Sequence, residues 1–120
     1  GVECMKISFE EIGTWTATFA CSDVREGEVV KISGSAQVGA CSAGDAFCGV
    51  AAAVSRTQDA CSVTLGGLVN VSYSGDSAPG AGLTKLSADG KGGVQADEEN
   101  GSAYWVAAVD TVAKTATIRL

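Results

Sequence analysis

Cys4, Cys21, Cys41, Cys48 and Cys61 are the side chains of this 120-residue chain best suited to act as nucleophiles or metal ligands. Their number is odd, and their spacings of 17, 20, 7 and 13 match no C-x-x-C pattern. The chain has no His to complete a mixed metal site. Cys48 lies in an apolar stretch, where a thiol behaves as a small hydrophobe. Reduced, buried thiols are therefore expected rather than a disulfide framework or a metal centre. Without His the commonest base for a Ser or Cys nucleophile is missing. A Ser–Lys pair or an unassisted Cys remains to consider, and nothing beside Cys21 or Cys61 suggests activation.

The other chemistry-bearing clusters read as turn and surface chemistry. Glu10-Glu11 and Asp97-Glu98-Glu99 are acidic runs, the second directly before Asn100-Gly101. That position suits a solvated hairpin tip better than a carboxylate pair for acid–base work. Gly90-Lys91-Gly92-Gly93 looks like a phosphate loop, but position 85 is Lys and position 92 is Gly, so the G-x-x-x-x-G-K-[ST] spacing fails. Asp59, Asp76 and Asp89 form no calcium-loop pattern. Asn70-Val71-Ser72 fits a glycosylation sequon but falls in a strand signal. The expectation is a protein that is not an enzyme, with no catalytic residues, no cofactor and no metal.

The elements that would position these groups are strands. Apolar residues make up 46% of the chain and charged ones 18%, which argues for a folded core rather than disorder. A chain of this size buries roughly two-thirds of its unfolded surface, enough for one domain. Short strand signals recur at 14–19, 28–33, 47–54, 62–65, 68–73, 83–86, 94–96, 104–109 and 115–120. Gly66-Gly67, Asp89-Gly90, Gly92-Gly93 and Asn100-Gly101 punctuate them with residues that tolerate positive φ. Residues 4–12 and 51–54 carry only weak helix signals.

An internal repeat organises the strands. Lys31-Ile-Ser33 matches Lys85-Leu-Ser87, and Ala36-Gln37-Val38 resembles Val94-Gln95-Ala96. Ala46-Phe47 aligns with Ala103-Tyr104, and Val63-Thr-Leu65 with Ile118-Arg-Leu120. The expected fold is all-β: a small closed barrel or a compact two-sheet β-sandwich built from two similar units, about 25–65 and 79–120. Strand 68–73 and the loop Ser74–Gly80 would join them. Residues 25–120 form the single β domain, and residues 1–24 an N-terminal arm or an extra strand.

Net charge is −6, from 8 basic and 14 acidic residues, and the basic ones form no run. Such a chain repels phosphate backbones and anionic lipid, so nucleic-acid and membrane partners are not expected. No signal-peptide pattern or run of 18 apolar residues is present, which points to a cytoplasmic origin. Gly1 suggests a processed or trimmed start. Strands 47–54 and 104–109 read as apolar on both faces, with Tyr104, Val106 and Ala108 on one side and Trp105, Ala107 and Val109 on the other. One face must be covered by the N-terminal segment or by another chain. Candidate protein-interface residues are Ile7, Phe9, Trp15, Phe19, Tyr104 and Trp105.

The succession of elements from residue 26 to 120 resembles the capsid cement or head decoration proteins of tailed bacteriophages. It is carried by Glu26-Gly27-Glu28-Val-Val-Lys31, Gly44-Asp45-Ala-Phe-Cys-Gly-Val50, Cys61-Ser-Val-Thr-Leu-Gly-Gly67 and Val69-Asn-Val-Ser-Tyr-Ser74. It continues through Leu83-Thr-Lys-Leu-Ser-Ala-Asp-Gly90, Gly93-Val94 and Val109-Asp110 to Leu120. The resemblance implies a structural virion protein, made in the host cytoplasm, that binds the major capsid protein on the outside of the shell. It would reinforce the shell against internal DNA pressure, as a homo-oligomer, often a trimer. A head fibre or tail component, or a small ligand-binding β-barrel, are the alternative readings.

Overall fold

The structure is a computed structural model that describes residues 15–75 and 78–120. Regular structure among these residues is entirely β. The first five strands are β1 (Trp15–Ser22), β2 (Val29–Gly34), β3 (Gln37–Ala40), β4 (Gly49–Val54) and β5 (Ala60–Gly66). They close into a barrel in the order β1-β3-β2-β4-β5, because β1 runs antiparallel to β5 and parallel to β3. The next five are β6 (Leu68–Ser72), β7 (Gly82–Ala88), β8 (Val94–Ala96), β9 (Ser102–Asp110) and β10 (Thr115–Arg119). They form a second sheet in the order β6-β10-β9-β7-β8, whose two edges meet at one parallel bridge between Tyr73 and Val94. Both architectures expected from the sequence thus contribute: a closed barrel and a second sheet packed on it.

Alternation explains which side chains turn inward. Cys21, Val30, Val38, Ala51, Cys61 and Val63 come from all five barrel strands and, with Val24, make one buried cluster. A five-stranded barrel is narrow, and small Cys, Ala and Val side chains are what fill it without strain.

The two sheets repeat each other in register. Ala51 opposite Val63 in the barrel corresponds to Val106 opposite Ile118 in the second sheet, each 55 positions further on. The bulge recurs as well, with Ala52 passed over between Ala51 and Ala53 and Ala107 between Val106 and Ala108. Cys21 opposite Val38 corresponds to Tyr73 opposite Val94, both parallel. Strand 68–73, read from the sequence as a joiner, thus pairs as β1 does. The bulge also alters one reading of faces. It shifts the alternation by one residue, so Val109 packs inward with Tyr104 while Ala108 is exposed.

The units are locked face to core. Val29 and Val50 pair with each other on the outside of the barrel and, with Phe47, enter the core of the second sheet beside Leu86, Val106 and Ile118. Backbone bonds seal the junction: Val29 N donates to Gly92 O at 3.0 Å, Gly44 N to Ala88 O at 2.8 Å, and Ala88 N to Asp45 O at 2.9 Å. The chain passes between units through Gly67 alone, whose φ of 97° belongs to the left-handed region that glycine adopts without penalty.

Because Val50 serves the second core from the first sheet, Val50→Ala is expected to cost on the order of 2 kcal/mol and leave one cooperative transition. Urea unfolding followed by fluorescence and circular dichroism checks this. Two separated transitions would contradict the shared core.

Candidate protein-docking face

The outer face of the second sheet carries a row of side chains in register across four strands. Leu83 on β7 pairs with Trp105 on β9, Trp105 with Arg119 on β10, and Arg119 with Leu68 on β6. Leu83 is 60% exposed and Trp105 50%. Their counterparts by register are Val29 and Val50, which are 1% and 6% exposed because the second unit covers them. The same face is an internal interface in the first unit and open in the second. Lys85, further along β7 and paired with Ala103, adds a cation to the one supplied by Arg119. A shallow cleft of about 450 Å³ runs along this side, lined by Ala78, Leu83, Lys85, Ala96 and Ala103.

Trp15 stands near the Leu68 end of the row. It pairs with Gly66, and its indole lies over that glycine so closely that a methyl group there would overlap the ring. Trp15 is nevertheless 59% exposed. Leu120 N donates to Gly67 O at 2.9 Å, which holds the end of β10 beside the same turn.

The interface candidates from the sequence fall into three groups. Trp15 and Trp105 are exposed on the surface. Phe19 and Tyr104 are half-buried: Phe19 packs on the barrel core, and Tyr104 stacks on Phe47 with centroids 4.8 Å apart and rings 8° from parallel. The Tyr104 hydroxyl donates to Phe47 O at 3.1 Å. Ile7 and Phe9 lie outside the described residues. Sequence reading missed Leu83, although the repeat contained the signal, since the 54-residue offset of Lys31 to Lys85 also carries Val29 onto Leu83.

Several charged groups among the described residues hold turns and loops in place. Asp97 accepts from Asn100 N at 2.9 Å, Glu99 N at 3.2 Å and Ser87 Oγ at 2.8 Å, which builds the turn before β9. Asp89, itself buried, accepts from Ser74 Oγ at 2.6 Å, Lys91 N at 2.7 Å and Gly93 N at 3.0 Å. Its loop is thus occupied by its own carboxylate. Lys31 and Asp45 pair at 2.6 Å, which raises the lysine and lowers the aspartate, first through that hydrogen bond. Both are solvent-accessible, so the pair orients the 41–46 loop and adds little stability. Cys21, Cys41, Cys48 and Cys61 are free thiols. Burial pushes Cys41 up to about 11, with Asp45 adding to it, and pushes Cys61 up to about 11, with the Cys21 thiol adding to it. Burial raises Cys48 as well. Cys41, Cys48 and Cys61 are thus shifted away from the thiolate, the opposite direction from an activated nucleophile. Among the described residues, no three Cys, Asp or Glu side chains converge as metal ligands, and no buried side-chain polar atom is left without a hydrogen-bond partner.

In comparisons with known proteins, no family model and no curated protein matches the chain.

The raised thiols fix a pH dependence. A thiol whose pKa rises on folding, from 9.0 to about 11 for Cys41 and Cys61, favours the folded state below pH 9 and loses that contribution as pH climbs through 11. Urea midpoints should fall between pH 9 and 11 and fall less in Cys61→Ala. A midpoint that stays level across that window contradicts the assignment.

Proposed function

We propose that this chain is a structural protein that docks on other protein subunits through the Leu83–Trp105 row, in the manner of a decoration or cement protein on the outer surface of a tailed-phage capsid. One observation carries the docking part: a face that is a buried interface in the first unit is repeated in the second, where Leu83 and Trp105 stand open. Large exposed apolar groups rimmed by charge are characteristic of protein interfaces, and Trp and Arg are among the residues enriched where binding energy concentrates. The capsid part rests on the resemblance of residues 26–120 to that phage family.

The physical properties fit such a role. Two units sharing a core and joined through one residue form a stiff body, so little ordering entropy opposes its binding. A net charge of −6 limits self-association when many copies crowd one particle. Repeated weak contacts on a lattice add up by avidity, so each copy needs only a modest footprint. The partner is the major capsid protein, and neighbouring copies meet around its local symmetry points.

Co-sedimentation with undecorated shells tests the proposal. Trp105→Ala should weaken binding by about 2 kcal/mol, about thirtyfold in Kd, and Leu83→Asp with Trp105→Asp should abolish it while circular dichroism stays unchanged. Full binding by the double variant would refute the row as the docking face. Failure of the native chain to sediment with any shell would refute the capsid assignment.

A further inference from the structure

Two cysteines meet inside the barrel. Phe19 stands opposite Cys61 and Ala20 opposite Ala60, and Cys21 N donates to Asp59 O at 3.1 Å, one step further along the same strands. Cys21 on β1 and Cys61 on β5 are therefore diagonal neighbours. Both turn inward into one buried cluster, 6% and 2% exposed, and their thiols share a hydrogen bond. Cys21 Sγ also donates to Gln58 O at 3.8 Å, in the turn before β5. Cys41 and Cys48 lack such a setting. They flank the loop between β3 and β4, half-buried, and no strand pairing among the described residues sets one against the other.

The position of the pair gives it a mechanical meaning. β1 closes the barrel with six residue pairs to β5 on one side and only three to β3 on the other. Cys21 opposite Val38 is the middle one of those three. A bond from Cys21 to Cys61 fastens the closing strand where its hold on β3 is shortest. Diagonal partners have Cα atoms roughly 7–8 Å apart, and a relaxed disulfide holds them roughly 4.4–6.8 Å apart. Closing the bond draws the strands together by roughly 1 Å. β1 ends one residue later, at Ser22, so the loop that follows absorbs the shift.

We propose that Cys21 and Cys61 form a redox latch, joined by an oxidant of the small-molecule disulfide class, that clamps the barrel-closing strand. The Cys21 thiolate attacks one sulfur of oxidised glutathione, breaks its S–S bond and expels one glutathione thiolate. The Cys61 thiolate then attacks Cys21 Sγ in that mixed disulfide and expels the second. Two protein S–H bonds become one S–S bond, their protons pass to the two glutathione thiols, and each glutathione sulfur gains one electron. Both thiols are buried, so exchange is slow in the closed barrel and proceeds as the end of β1 opens.

Trypsin tells the possible bonds apart. Lys6, Arg25, Lys31, Arg56 and Lys85 divide the chain so that Cys4, Cys21 and Cys61 fall on separate peptides, while Cys41 and Cys48 share another. The full chain is held in mixtures of reduced and oxidised glutathione, quenched in acid, alkylated after unfolding and digested. Peptide 7–25 linked to peptide 57–85 is expected, with alkylated thiols falling from five to three. Dithiothreitol should restore all five. Amide exchange in β1 should slow about tenfold in the oxidised chain, and Cys21→Ser and Cys61→Ser should each abolish that response. Five alkylated thiols at every glutathione ratio overturn the proposal, as does glutathione left on Cys21 or Cys61 with no link. A bond made only within the Cys41–Cys48 peptide or only to Cys4 overturns it too. So does a Cys21–Cys61 bond that leaves exchange in β1 unchanged.

Discussion

The burial of the Val29–Val50 pair in the core of the second sheet is the contact on which the rest of the molecule depends. It makes two small β units into one body. Neither unit holds a large core by itself: seven side chains fill the barrel, and the second sheet needs Val29, Phe47 and Val50 to complete its own. A unit of about fifty residues buries too little surface to be secure alone. The shared core removes that weakness, and the single-residue connection at Gly67 leaves the units no freedom to separate.

The same contact leaves its counterpart in the second unit uncovered among the described residues. A repeated unit repeats its faces, and a face that must be covered in one copy is exposed in the copy at the end of the series. Leu83 and Trp105 occupy that terminal position. Their exposure follows from the architecture and is not a packing failure, since every buried side-chain polar atom described is partnered and the cores are filled. Asp89 and Asp97 are committed to turns, and burial pushes the Cys41 and Cys61 thiols up.

Much of the fold was legible in the residues. Alternation and glycine pairs located nine of the ten strands, missing as a strand only the four residues of β3, whose Gly39 and Ala40 carry little apolar signal. The repeat was legible through Lys31-Ile-Ser33 and Val63-Thr-Leu65. Its extension to β1 and β6 was not, because Cys21 and Tyr73 share a register position and no chemical likeness. The Ala46-Phe47 match with Ala103-Tyr104 has a different meaning in three dimensions, since Phe47 and Tyr104 stack on each other and do not occupy equivalent sites. Bulges are the general reason that face assignments fail. One unpaired alanine moved Val109 to the side opposite the one simple alternation gives it. Trp105 stood out in the sequence by its size, whereas the exposure of Leu83 follows from a pairing across strands that no local pattern shows.

Hydrogen exchange of the protein, free and bound to shells, tests the central claim most directly. Added protection is expected in β7 and β9 around Leu83 and Trp105, with the barrel strands unchanged. Protection confined to the barrel, or to the β9–β10 turn at Val112, would contradict it.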